Sequence, residues 1–175
     1  FMGGGGAKFV DCRTGLTRVA TLEENNDACI ITDALDTIDT WGCYSPYFEI
    51  EGIEPVMSCM FSLAQRINYS SKLSRGAQAT DTYFFETQIA QAADMQIYGV
   101  CEAASPLYYP KDATDAAFEY LNAGFPLFTA AGGIMGGSAP VTTAGALILG
   151  NAEILSAIVL AQLIRPGSAV MVNDF

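Results

Sequence analysis

Short continuous apolar runs alternate along this chain with stretches in which apolar residues recur at helical spacing. After a glycine-rich, flexible or turn-forming opening at Gly3, Gly4, Gly5 and Gly6, residues 8–12 and 16–20 flank a Thr14-Gly15 turn and predict a small hairpin. Thr21 and Glu24 have the spacing of a capping box. They open a helix through residues 25–35 with Ala28, Ile31 and Leu35 on one face. Strands follow at residues 37–43, 73–77, 96–101, 125–130 and 169–172. Helices are expected between them at 55–68, 81–94, 112–122 and 142–164. The first of these carries Met57, Met60, Phe61, Ala64 and Ile67 on its apolar side, and Thr80 or Asp81 caps the second. Ala123-Gly124 stops the third, and Arg165-Pro166-Gly167 closes the fourth. In the long fourth helix, Ala144, Leu147, Ile148, Asn151, Leu155, Ile158 and Val159 are expected to form the core face. Asn151 and Glu153 are polar insertions there, expected to tie the helix to a neighbouring loop.

Repeated strand–helix–strand units predict an α/β fold with a parallel sheet and helical crossovers. An open doubly wound sheet and a (β/α)8 TIM barrel both fit this order. Five strands in this length extrapolate to eight in roughly 250 residues, the usual barrel size, which favours the barrel. The domain expectation is a partial TIM barrel over residues 1–175, with the hairpin in 1–20 and βα units in 21–175.

Composition changes this picture in one respect. The 175 residues are 51% hydrophobic and 15% charged. Average soluble proteins carry roughly 25% charged residues. The deficit suggests surfaces covered by something else, and Phe1 stands where an initiator Met would. A segment of a longer chain, supplying about half of a barrel, is therefore expected.

Charge and residue types then narrow the chemistry. Eight Lys and Arg against 19 Asp and Glu give a formal net charge of −11, which argues against a nucleic-acid partner. The absence of histidine removes imidazole acid–base chemistry and His metal sites, and no metal site is expected. Cys12, Cys29, Cys43, Cys59 and Cys101 are dispersed singly, as expected of reduced thiols in the cytoplasm. The apolar stretch 139–163 is broken by Asn151, Glu153 and Gln162, so it reads as a buried helix and no membrane is expected.

In a barrel the ligand lies at the C-terminal ends of the strands. Trp41, Tyr44, Tyr47 and Phe48, with Glu49 and Glu51, follow the strand at 37–43. Such rings either pack the loop onto the rim or form a cage for a quaternary ammonium group. Glu102, just past the strand at 96–101, is either a catalytic acid–base or counter-charge or a hydrogen-bonded structural carboxylate. The loop containing Gly132, Gly133, Gly136, Gly137 and Ser138 lacks a phosphate-loop signature but permits close approach of another body. Asn173 and Asp174 end the last strand.

The run 136–167, with its small-residue loop ending in Pro140, its Asn151-Ala152-Glu153 within a long helix and its Ala161-Gln162-Leu163…Pro166-Gly167 exit, resembles the trimethylamine methyltransferase family. Ser105-Pro106-Leu107, the hairpin around Asp11 and Thr14-Gly15, Ala20-Thr21 and Ile38-Asp39 fit the same order. The resemblance implies a TIM barrel that moves a methyl group from a methylated amine, such as trimethylamine or glycine betaine, to the Co(I) of a corrinoid (cobalamin) carried by a partner protein. No cofactor is then bound directly, and a homo-oligomer is expected. Glu102 becomes the catalytic candidate, Trp41, Tyr44, Tyr47 and Asp174 the substrate-binding candidates, and the glycine loop the corrinoid-facing element. A non-catalytic scaffold homologue and an unrelated phosphate-binding barrel enzyme are the alternatives.

Overall fold

In the computed structural model, residues 2–4, 8–42, 52, 54–76 and 82–174 are described. The chain forms two compact units, residues 1–97 and 98–175.

The first unit starts with β1 (Met2–Gly4), the hairpin strands β2 (Phe9–Val10) and β3 (Thr17–Arg18), and helix α1 (Leu22–Ala34). The expected hairpin forms, with Phe9 opposite Arg18 and Val10 opposite Thr17. Gly15 occupies its turn at φ +71°, where a side chain would be strained. The Thr21 hydroxyl accepts from the Glu24 amide, and the Glu24 carboxylate accepts from the Thr21 amide, so the expected capping box is complete. Arg18 donates to both oxygens of Glu24, at 2.8 and 2.6 Å, and to Asp11 at 3.0 Å. This joins the hairpin to the start of the helix.

The glycine-rich opening is not merely a turn. β1 pairs in parallel with β4 (Thr40–Gly42), Gly3 beside Trp41. The buried face of α1 also differs from the expected one. Asn25, Cys29 and Thr32 are buried, whereas Ile31 and Leu35 are exposed. The first three share an i, i+4, i+7 stripe whose Cys29 packs against Trp41, and that stripe is polar or small.

Helix α2 (Pro55–Tyr69), strand β5 (Leu73–Arg75) and helix α3 (Tyr83–Ala92) complete this unit. Cys59, Met60 and Leu63 of α2 are buried, and Met57 is exposed. β5 runs parallel to β4, Trp41 beside Ser74. The turn before β5 is held by Asp33, which accepts from the Ser71 amide at 2.7 Å and the Ser70 hydroxyl at 2.9 Å. The Lys72 ammonium donates to the Thr32 and Leu35 carbonyls, capping the C-terminus of α1. The cap residue of α3 is Thr82, one or two residues later than the sequence pattern indicated, and its hydroxyl donates to Glu86 at 2.9 Å.

The second unit contains β6 (Ile97–Val100, beginning at the boundary), α4 (Lys111–Ala123), β7 (Leu127–Ala131), α5 (Thr143–Ile164) and β8 (Val170–Asp174). β6, β7 and β8 are parallel neighbours in that order. Ile97–Val100 and Leu127–Ala131 are buried throughout, as expected of strands covered on both faces. Cys101, Ala117, Leu121, Leu127 and Ala161 form the core between sheet and helices. Gly124 ends α4 at φ +98°, as its sequence position predicts. The Gln162 side chain organises the exit from α5, accepting from the Gly167 amide at 2.8 Å and donating to the Ser168 carbonyl at 3.0 Å.

The core face predicted for α5 is not the observed one. Gly150, Glu153, Ala157 and Ala161 are buried, while Leu147, Ile148, Asn151, Leu155 and Val159 are exposed. The small residues Gly150, Ala157 and Ala161, at i, i+7 and i+11, let the helix backbone approach the sheet. The larger aliphatics lie on other sides of a helix that is apolar almost all round, so periodicity could not select among them.

Candidate functional site

Three parallel strands put the C-terminal ends of β6 and β7 side by side, and the segments leaving them make the candidate site. Past β6 the chain stays extended. The Cys101 amide donates to the Phe128 carbonyl at 2.8 Å and the Ala103 amide to the Ala130 carbonyl at 3.5 Å. By the two-residue alternation of extended chain, Glu102 falls on the face of Val100, opposite Cys101. Glu102 is half-buried. Burial, with a smaller contribution from the Glu102 charge, pushes the Cys101 thiol up to about 11. Cys101 is therefore a core thiol and not a nucleophile.

After Glu102 the chain makes an irregular loop, 103–110, containing a cis Ser105-Pro106 bond and Leu107 at φ +56°. This loop is fastened to α5. The carboxylate of Glu153 accepts from the Ser105 hydroxyl at 2.8 Å and from the Leu107 amide at 2.7 Å. The Tyr109 hydroxyl donates to the Glu153 carbonyl at 2.5 Å, and Ser156 donates to the same carbonyl at 2.7 Å. Burial raises the Tyr109 phenol above its ordinary range, so it stays a donor. Glu153 thus ties the helix to a neighbouring loop, as its place in an apolar helix suggested. Its partners lie more than 40 residues away, beyond what sequence spacing shows. Asn151, expected to share that task, is exposed.

The loop after β7 holds Gly132, Gly133, Gly136, Gly137 and Ser138. Its middle is a compact turn. The Gly137 and Ala139 amides donate to the Ile134 carbonyl at 2.9 and 3.0 Å. The Gly136 amide donates to the Ala139 carbonyl at 3.0 Å, and the Ile134 amide to the Ser138 hydroxyl at 3.0 Å. Four amides are thereby consumed within the loop, the opposite of an open phosphate cradle. Gly136 has φ +78°. A Cβ at Gly133 would lie 2.8 Å from Ala139 Cβ, so glycine lets this loop close on itself, and 3.6 Å from Ser105 Cβ, which puts the two loops side by side. Leu107, Tyr108, Ile134, Met135 and Val141 are exposed on these two loops.

The other sequence-derived candidates are placed as follows. Asp174 ends β8 beside Ala131 of β7 in the backbone register. Trp41 belongs to the first unit and is a core residue there, its indole N–H donating to the Cys29 sulfur at 3.2 Å. Tyr44 and Tyr47 lie outside the described residues, as do Phe48, Glu49 and Glu51. Among the described residues, no group of His, Cys, Asp and Glu is arranged to hold a metal ion. Among the described residues, one helix, α5, is long and apolar enough to cross a membrane. Its seat against β7 and β8, with Glu153 turned into the protein, is that of a sheet-covering helix.

Parallel strands joined by helical crossovers, with irregular loops at their C-terminal ends, define an α/β protein of the kind that binds ligands at that edge. The order of strands and helices is that of half a TIM barrel. The whole chain, residues 1–175, matches the trimethylamine methyltransferase (MTTB) family, and the chain belongs to it. It is 44% identical over 66 residues to trimethylamine methyltransferase MttB of Methanosarcina thermophila, an alignment covering 38% of this chain and 14% of that protein. It is 42% identical over 66 residues to MttB of Methanosarcina barkeri, covering 38% and 13%. The MttB of Desulfitobacterium hafniense is 37% identical over 67 residues, covering 38% and 14%. The chain thus aligns with about one seventh of the length of these relatives.

Proposed function

We propose that the protein to which this chain belongs transfers a methyl group from a methylated amine, trimethylamine or a quaternary amine such as glycine betaine, to the Co(I) corrinoid of a partner protein. The carrying observation is the family match over all 175 residues. Two structural features support it. The segments leaving β6 and β7 lie at the strand ends where barrels bind ligands. The loop 132–138 carries four glycines and a serine around the exposed Ile134 and Met135, so a flat, bulky ring can approach its backbone at the glycines and meet apolar side chains between them.

The chemistry asks little of acid–base groups. The C–N bond of the ammonium breaks, and the nitrogen keeps its electron pair and leaves as a neutral amine. The methyl carbon bonds to cobalt with the two electrons of Co(I), giving methyl-Co(III). The protein's part is to hold donor and cobalt in line and to exclude water. That suits a chain without histidine. Glu102, just past β6, supplies negative charge for the cationic donor, and Tyr44, Tyr47 and Asp174 are the further donor-binding candidates. A quaternary ammonium beside aromatic rings gains about 0.5–2 kcal/mol per well-placed contact.

The test is full-length protein with a Co(I)-loaded corrinoid protein and a panel of mono-, di-, tri- and tetra-substituted methylamines. Methylation of cobalt by at least one donor is expected. Failure with every donor, by protein that is folded, would support the scaffold alternative instead.

A further inference from the structure

We propose that Glu153 is a positioning residue, whose buried carboxylate sets the loop 103–110 and, through Ser105, the neighbouring loop 132–138 for the approach of the corrinoid-bearing partner. The inference rests on the methyl-transfer reading for its last clause only.

Packing alone gives no reason for a carboxylate here. Glu153 is the one charged residue among the 22 of α5, and the rest of the buried face is Gly150, Ala157 and Ala161. A carboxylate 1% exposed is costly unless hydrogen-bonded. Both carboxylate oxygens are hydrogen-bonded, and both partners belong to one loop: Oε2 takes the Ser105 hydroxyl and Oε1 the Leu107 amide. The carboxylate therefore acts on the loop and not on the sheet.

The loop is held in a shape it would not otherwise keep. Leu107 has φ +56°, a region that side-chain-bearing residues seldom occupy and that persists only where surroundings enforce it. Its own amide donates to Glu153 at 2.7 Å, and the Ala104 amide closes the turn around it on the Tyr108 carbonyl at 2.8 Å. The result is that Leu107 and Tyr108 stand outward, 67% and 60% exposed, instead of folding onto the core. Ser105, the second anchor, stands 3.6 Å from where a Cβ on Gly133 would lie, so it borders the loop 132–138. One side chain on α5 thus fixes one loop and, through Ser105, the wall that the loop 132–138 borders.

The experiment uses the full-length protein and four variants: Glu153→Ala, Glu153→Gln, Leu107→Gly and the double variant Glu153→Ala/Leu107→Gly. Three quantities are read: amide hydrogen exchange at Leu107, Tm, and KM for the corrinoid protein against kcat. Glu153→Ala should speed exchange at Leu107 roughly tenfold or more, as loss of a hydrogen bond to a charged group implies. It should raise KM for the corrinoid protein by a similar factor and change kcat much less. Glu153→Gln, which keeps one acceptor for the Leu107 amide, should fall between. Leu107→Gly adopts a positive φ without strain, so in the double variant it should restore part of the KM. Unchanged exchange at Leu107 in Glu153→Ala overturns the clamp. Altered exchange with unchanged KM, or a lowered Tm that neither Gln nor the glycine variant relieves, overturns the positioning role. If the wild-type protein methylates no corrinoid, the methyl-transfer reading fails, and exchange at Leu107 still decides whether Glu153 sets the loop.

Discussion

The indole N–H of Trp41 donates to the sulfur of Cys29 at 3.2 Å, joining the middle of β4 to the buried stripe of α1. Trp41 is the only tryptophan of the chain, so its fluorescence reports on this packing alone. Emission should be blue-shifted and poorly quenched by acrylamide. Saturating trimethylamine or glycine betaine should leave it nearly unchanged. Emission characteristic of solvated indole, or strong quenching by either amine, would contradict the core role of Trp41.

Gly99 of β6 lies flat against the ring of Tyr120 on α4. A Cβ there would sit 2.6 Å from Tyr120 Cγ and 2.8 Å from Tyr120 Cβ. Gly99→Ala should therefore overpack the strand–helix contact and cost about 1–3 kcal/mol. Urea unfolding at constant m value would measure it. A loss below about 0.5 kcal/mol, the range of neutral surface changes, would show that β6 and α4 are not so closely packed.

The alternation of strands and helices was legible because each element carries a local signal. The Thr21–Glu24 capping box and the Gly124 stop are sequence patterns with one conformational outcome. β1 was not legible as a strand, because its glycines offer no side-chain pattern and its pairing with β4 comes from the tertiary fold. The buried faces of α1 and α5 escaped for different reasons. In α1 the inward residues Asn25, Cys29 and Thr32 are polar or small, and Ile31 and Leu35 face out. In α5 nearly every side is apolar, so no face stands out. Glu153 was visible as an anomaly in that helix, but its partners Ser105 and Leu107 are a tertiary fact.

Stability of the first unit should fall with acid, for a reason the carboxylates define. The Arg18 guanidinium, followed by the Thr21 amide, holds the Glu24 carboxyl at about 2. The Arg13 amide and then Arg18 lower Asp11, and the Ser71 amide and then the Ser70 hydroxyl lower Asp33. Each folded-state value lies below the unfolded one of about 4, so the stabilisation is present above that pH and is lost on descending towards pH 2. Urea midpoints measured from about pH 6 down to about 2.5 should drop in the lower part of that range. Glu24→Gln should flatten the drop, and an identical pH profile in that variant would contradict the assignment.

Thiol reactivity should separate the described cysteines sharply. Cys12 is exposed, while Cys29, Cys59 and Cys101 are buried. Burial moreover holds Cys101 at about 11, leaving little thiolate at neutral pH. Iodoacetamide at pH 8 should label Cys12 in the native protein and the other three only after denaturation. Rapid native labelling of Cys101 would show that the end of β6 opens, against the packing of Ala117, Leu121 and Ala161 around it.

The central claim, methyl transfer from an amine to cobalt, is tested most directly by following the label itself. Full-length protein would be incubated with a Co(I) corrinoid protein and a methylamine carrying carbon-13 in its methyl groups, and the cobalt-bound carbon observed by NMR. A methyl-cobalt signal that grows only with the protein present, one demethylated amine appearing per signal, is the predicted result. Folded protein that forms no methyl-cobalt with trimethylamine, glycine betaine or their partly methylated relatives would contradict the account.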